Sequence, residues 1–193
     1  MIINPKTAIE QGWITGIKDP EKQVQPNAID FTADRAFYLD YNDFFISEDG
    51  KFMRGSYPAA TVKVGTRWCA GVSVPREFSD RDGWLLSTSG SRSSLDILSD
   101  MYVTLPEGVA AQLIIRSSLA RNGLVLQCGL YDAGFEGHIG CIIHNLHSWP
   151  AFIEPGTRVG QIMFVEAGTS TLYDGQYKHE EGTALEYQDS GDS

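Results

Sequence analysis

A mainly β fold, of the sandwich, barrel or jelly-roll kind, is predicted for this 193-residue chain by three observations. Twenty glycines and eight prolines cut it into short apolar runs, as expected of strands joined by tight connections. Turn signals separate those runs at Pro106-Glu107-Gly108, Asn122-Gly123, Glu136-Gly137 and Pro155-Gly156. Proline presets φ at such places, and glycine or asparagine accepts left-handed backbone. Helical patterning is confined to a few short stretches.

Taken in order, Thr7–Trp13 is expected to form a short helix stopped near Gly12 or Gly16. Gln25 to Phe31 reads as an apolar strand with one carboxylate, Asp30, and residues 40–60 as a hairpin-like excursion. Strands are expected at Val62–Val64, Cys69–Val74, Tyr102–Leu105, Ala111–Ile115, Leu124–Leu126, His138–Asn145, Ala151–Ile153 and Val159–Glu166. Ser91–Ser99 (SRSSLDILS) is expected as a second short helical element, and Ser117–Arg121 as a helical turn after the strand ending at Ile115. No repeat or linker divides the chain, so a single domain is expected over 1–182, with a frayed polar tail at 183–193.

Composition narrows the function classes. Hydrophobic residues make up 42% and charged residues 21%, ordinary for a globular protein with a sizeable core. No apolar run reaches membrane-spanning length, and the start MIINPKTAIE lacks a signal-peptide pattern. The expectation is therefore no membrane association and a cytoplasmic location, the host cytoplasm if the source is viral. A net charge of −10 argues against a nucleic-acid partner, whose phosphates need a basic face. It leaves open a nucleotide ligand, which needs only a local group of cations. Cys69, Cys128 and Cys141 form no disulfide framework, and Cys128 and Cys141 read as buried free thiols. The histidines at 138, 144, 147 and 179 show no zinc-binding spacing.

The chemistry-bearing segments lie mostly between Ile114 and Phe164. Arg116, Ser117, Ser118 and Arg121 form a compact cationic, hydroxyl-bearing turn, and guanidinium forks suit phosphate oxygens. A surface turn with two arginines would look the same. Gly129 to Gly137 (GLYDAGFEG) suggests a tight hairpin whose backbone approaches a ligand. Asp132 at its bend could orient or deprotonate a water, or cap the turn. Arg158 and Gln161 lie in a turn-plus-strand segment that could support a site or simply fill the core. Asp30 needs a partner or a metal–water network, since an unpaired buried charge is costly; Arg35 is a candidate.

Four segments in this order resemble the dCTP deaminase and dUTPase superfamily: PNAIDF around Asp30, RSSLARNGL from Arg116, GLYDAGFEG from Gly129, and PGTRVGQIMF from Pro155. The resemblance runs from about Asn4 to about Gly182. It implies a distorted jelly roll or β-barrel of the dUTPase-like type with one or two short helices. It also implies a homotrimer with active sites between subunits, and a C-terminal lid over about 168–182. RSSLAR, the approach VTLPEG and the tail YDGQYKHEEG resemble the deaminase branch.

Two positions depart from that branch. Deaminases carry a proton-shuttling glutamate ten positions after the third-motif aspartate, where this chain has Ile142. They often carry an arginine two positions before it, where this chain has Leu130. The resemblance therefore implies dUTP diphosphatase chemistry: dUTP and water give dUMP and pyrophosphate, with Asp132 activating the water and Mg²⁺ spreading the triphosphate charge. In that assignment Arg116, Ser117, Ser118 and Arg121 bind phosphates, and main chain at Gly129, Leu130 and Tyr131 reads uracil. Phe135 lies under the deoxyribose, Gln161 fits the dUTPase fourth motif, and Asp30 holds a water of the Mg²⁺ shell or braces the site. From the tail, Tyr173, Tyr177 and Lys178 contact substrate, although Gln176 and Glu180 replace the expected lysine and glutamine. The alternatives are a deaminase of dCTP, a hydrolase of another pyrimidine deoxynucleotide, or an inactive member that binds a nucleotide or a protein.

Overall fold

The computed structural model describes residues 1–39, 45–46, 51–52, 56–63, 79–168 and 171–175. Among them the chain runs α1 (Pro5–Glu10), β1 (Ile14–Thr15), α2 (Pro20–Gln23), β2 (Ile29–Thr32), β3 (Arg35–Leu39), β4 (Phe45–Ile46), β5 (Lys51–Phe52), β6 (Ser56–Pro58), β7 (Val62–Lys63) and β8 (Asp82–Leu86). It continues with β9 (Ser94–Thr104), β10 (Val109–Ile115), α3 (Ser117–Ala120), β11 (Leu124–Gln127), β12 (Glu136–Asn145), β13 (Ala151–Ile153) and β14 (Arg158–Glu166). The mainly β expectation holds.

A six-stranded sheet has the order β11-β12-β9-β3-β6, with β1 also on β9. A second sheet orders β10-β14-β2, a third β13-β8-β7, and β4 pairs with β5. The pairings are antiparallel. One buried cluster joins the first two sheets: Leu95, Ile97, Met101, Ile139 and Ile143 meet Phe31, Ala111, Ile162 and Phe164. Strand β12 shows how the sequence sets this geometry. In EGHIGCIIHN burial alternates residue by residue, so Ile139, Cys141 and Ile143 enter the core while His138, Ile142 and His144 line the other face.

Helix α1 starts two residues ahead of the expected Thr7 and ends at Glu10 rather than Trp13, because Asn4 accepts from the Lys6 amide at 2.9 Å and Pro5 takes the first turn. Gly12, at φ +71°, lies just past its end. The helical turn after Ile115 is also present, as α3.

Three expectations need correction. Ser91–Ser99 is not a helix; a 3₁₀ turn at Ser91–Ser93 leads into β9. Leu95 to Ser99 is buried without interruption, and a run covered on both faces does not reveal its period. Glu136-Gly137 is not a turn but the start of β12, with Gly137 opposite Val103. The bend falls earlier, at Gly134, which takes φ +85°. Cys128 is exposed, not buried, whereas Cys141 is buried as expected and burial pushes its thiol pKa well up. The expected strand Cys69–Val74 and residue Val64 lie outside the described residues, as do most of 40–55, Cys69 and His179.

Candidate functional site

Asp30 organises the first half of the site. It is 1% exposed, on β2 and in register with Gln161 of β14. Gln161 Nε2 donates to its Oδ1 at 2.7 Å. Arg116 Nε and Arg158 Nη1 approach its Oδ2 at 3.3 and 3.1 Å. Its partners are thus Arg116, Arg158 and Gln161. Both carboxylate oxygens are taken by cations and an amide, so Asp30 braces the two arginines.

Arg116 is also the N-cap residue of α3. It donates a second bond, Nη1 to the Arg158 carbonyl at 3.1 Å. Its guanidinium is therefore fixed in direction before any ligand arrives. Ser117 and Ser118 follow on the exposed side of α3, as does Arg121. Ser118 and Arg121 open onto a groove of about 540 Å³ that is also lined by Asn122, His147, Trp149 and Phe152.

The third motif forms a separate cluster. Tyr131 is 7% exposed, and its hydroxyl meets both the amide and the carbonyl of Gly140, each at 2.9 Å. Burial pushes its phenol pKa well up. Its main chain pairs with Ala111, N–H to O at 2.9 Å and O from N–H at 2.8 Å. Those groups are thus not available to read a base, which corrects the expectation for Tyr131. Gly129 and Leu130 remain exposed, with open space beside Gly129. Asp132 is exposed, and its carbonyl accepts from the Phe135 amide at 3.0 Å. The Phe135 ring stands edge-on to Tyr131 at 4.7 Å and tilts against Tyr173 at 5.9 Å. Tyr173 is tied down by its amide, which donates to the Ala133 carbonyl at 2.7 Å. Tyr177 and Lys178 lie outside the described residues, as do Gln176 and Glu180.

Within one chain these clusters lie apart. Strand β10 carries Ala111 beside Tyr131 and reaches Arg116 five residues later, about 17 Å at ~3.4 Å per residue. No group of three or more His, Cys, Asp or Glu among the described residues could hold a metal ion.

Sequence reasoning missed one feature of the sheet face beside the third motif. Ile142 stands in register between Gln127 on β11 and Asp96 on β9. Asp96 is a buried carboxylate, 6% exposed. On the same face His144 places Nδ1 2.7 Å from Ser94 Oγ and Nε2 3.1 Å from Gln127 Oε1. With the Gln127 oxygen accepting, Nε2 carries the proton and Nδ1 accepts from Ser94. Burial lowers the His144 pKa, which favours this neutral ring. The only linear signal was a charged residue inside SLDIL.

These elements define a β-sheet protein that presents a braced arginine–serine turn and a glycine-spaced carboxylate hairpin. The chain belongs to the dCTP deaminase/dUTPase superfamily, and the dCTP deaminase-like family matches residues 99–167. A "dCTP deaminase, dUMP-forming" of Bifidobacterium animalis subsp. lactis is 30% identical over 165 residues, covering 83% of this chain and 75% of that protein. One from Sulfurihydrogenibium sp. is 29% identical over 191 residues, covering 95% and 94%. The fold is similar to that of the 2′-deoxycytidine 5′-triphosphate deaminase of Agrobacterium tumefaciens, with a TM-score of 0.59 and 16% identity over 86% of this chain. The match spans 48% of that longer protein. No helix among the described residues is long and apolar enough to cross a membrane.

These relatives overturn the expectation of a dUTP diphosphatase: they are deaminases of dCTP. That expectation rested on Ile142 in place of a glutamate, Leu130 in place of an arginine, and the fit of Gln161 to the dUTPase fourth motif. Position along one strand cannot show that a carboxylate stands opposite on the next.

Proposed function

We propose that this chain converts dCTP to dUMP, with water replacing the 4-amino group of cytosine and two of the three phosphates leaving. Support comes foremost from its similarity, over 83% of its length, to a dUMP-forming dCTP deaminase. The structure adds a cation held ready for phosphate: Arg116, directed by buried Asp30 and the Arg158 carbonyl. Ser117, Ser118 and Arg121 extend that turn and supply hydroxyls and a second guanidinium. The open main chain at Gly129 and Leu130 faces the base, and the Phe135 ring, set by Tyr131 and Tyr173, packs on the sugar. Exposed Asp132 orients the water that attacks the phosphate chain.

Because Arg116 and Asp132 lie well apart in one chain, a site using both takes one from each of two subunits. That favours a homo-oligomer, and the homotrimer implied by the resemblance fits it. The segment from about 168 to 182 serves as a lid, anchored at Tyr173. The donor set among the described residues does not form a metal cage, and Asp30 is committed to two arginines and an amide. Mg²⁺, if used, enters on the triphosphate, where its oxygens and waters supply most of the shell.

The test is incubation of the purified protein with each deoxynucleoside triphosphate, with ammonia and nucleotide products both measured. Ammonia and dUMP from dCTP are expected. Absence of ammonia from dCTP overturns the reading, and no turnover of any nucleotide would leave a binding protein.

A further inference from the structure

The direction of Arg116 depends on a second buried side chain besides Asp30. Gln23, the last residue of α2, is 1% exposed. Its Oε1 accepts from the Lys18 and Asp19 amides at 2.9 and 2.8 Å. Its Nε2 donates to the Asp30 carbonyl at 2.9 Å and meets Met101 Sδ at 3.4 Å. Two acceptor sites and two donors are therefore all in use. An apolar side chain there would leave two amides and the Asp30 carbonyl without these partners. Helix α2 has four residues, too few to hold its own shape. Asp19 caps it, with Oδ1 accepting from the Lys22 amide at 3.3 Å, and Gln23 holds Asp19 by its main chain. The Lys22 carbonyl accepts from Arg158 Nη1, and from Gln25 Nε2 at 2.8 Å. The same Arg158 Nη1 meets Asp30 Oδ2 at 3.1 Å. Arg158 offers its own carbonyl to Arg116 Nη1 at 3.1 Å, and Arg116 Nε lies 3.3 Å from Asp30 Oδ2. A run of bonds thus leads from the Gln23 amide group to the Arg116 guanidinium.

We infer that Gln23 is a positioning residue for phosphate binding. It fixes where the Lys22 carbonyl stands, that carbonyl and Asp30 direct Arg158, and Arg158 and Asp30 direct Arg116. The inference deepens the proposed function and rests on its assignment of Arg116 to the phosphates. Being buried, Gln23 acts through these partners. A guanidinium carries five donors in a rigid fork, so a small rotation changes which of them meet the oxygens of a phosphate. Holding that fork in advance reduces the ordering that a ligand must impose. The loss of Gln23 is therefore expected in ground-state binding of the triphosphate and not in the chemical step.

The test measures binding of inorganic triphosphate, which takes only the phosphate part of the site, alongside ammonia release from dCTP. Wild type, Gln23→Asn, Gln23→Met, Arg158→Gln and the double variant Gln23→Met with Arg158→Gln are compared, each with its thermal melting. Tyr38→Phe, which loses a buried bond to the Leu85 carbonyl, serves as a variant weakened elsewhere. Gln23→Met should weaken triphosphate binding roughly tenfold, the worth of one hydrogen bond to a charged group. KM for dCTP should rise in step, with kcat little changed. Gln23→Asn, one methylene shorter, should lose less. In the Arg158→Gln background Gln23→Met should add little, because its effect runs through Arg158. Tyr38→Phe should melt lower and bind triphosphate as wild type does. Gln23 variants that bind triphosphate like wild type, or losses that simply add in the double variant, overturn the positioning role. So does a wild type that binds no triphosphate. A wild type that binds triphosphate but releases no ammonia overturns the deaminase reading and leaves this inference standing.

Discussion

Replacing Asp30 by asparagine tests how the first half of the site is held. Three donors converge on this carboxylate: Gln161 on Oδ1, and Arg116 and Arg158 on Oδ2. Asparagine keeps the shape but puts an NH₂ at one of the two oxygens, so at least one donor then faces another. Removing one partner of a buried ion pair costs about 3–5 kcal/mol. Here the Arg116 and Arg158 side chains are 29% and 30% exposed, so water replaces part of what they lose. One oxygen also still accepts. A cost of roughly 2–3 kcal/mol follows. For a protein of this size each kcal/mol lowers Tm by ~2–4 °C, so the variant should melt about 4–12 °C below wild type by circular dichroism. Nucleotide binding should weaken too, because Arg116 loses its direction. A double-mutant cycle with Arg158→Gln should show a coupling of about 0.5–3 kcal/mol. A drop in Tm under about 2 °C, or additive variants, would refute the account of Asp30 as the brace.

Two further perturbations probe the packing and the polar face. A Cβ added at Gly160 would overlap the fully buried Phe31 ring and come within 3.0 Å of the Ile114 carbonyl oxygen. Gly160→Ala should therefore cost about 1–3 kcal/mol, read as a lowered urea midpoint that Phe31→Leu partly restores; additive losses would count against this. His144 should titrate below 6.5 by NMR, since burial lowers its pKa. As pH falls through about 6.5 the unfolded chain takes up that proton first, so His144 costs stability progressively until the folded pKa is passed. The wild type should lose more stability than His144→Gln between pH 7 and 5.5, and a His144 pKa at or above 6.5 would contradict the neutral, doubly bonded ring.

The strands most legible in the sequence are those with one face in the core. In HIGCIIHN, Ile139, Cys141 and Ile143 keep a two-residue apolar spacing that Ile142 interrupts, and β12 is buried on those alternate residues. The segment SLDILS was misread because β9 is covered on both faces. A run buried on both sides keeps no period for a linear reading to find. The turn at the third motif was misplaced for a different reason. Gly134 and Gly137 both permit a bend, and only the pairing of Gly137 with Val103 decides that Gly134 takes it. The Asp30 partner was also a tertiary fact: Arg35 is nearer in sequence, but Arg116 and Arg158 arrive through the β2–β14 pairing and the N-terminus of α3.

By itself the sequence determined the fold class, the ordered motifs and the superfamily, because alternation, turn residues and motif spacing are all written along one strand of chain. The tertiary structure decided which groups face one another across strands. It tied Tyr131's main chain to Ala111, committed Asp30 to two arginines, and set Asp96 opposite Ile142. Register between strands depends on the whole sheet, and a carboxylate missing at one position can stand about 5 Å away on the neighbouring strand. The reading from Ile142 and Leu130 turned away from deamination because it followed positions along the chain alone, and the relatives overturn it.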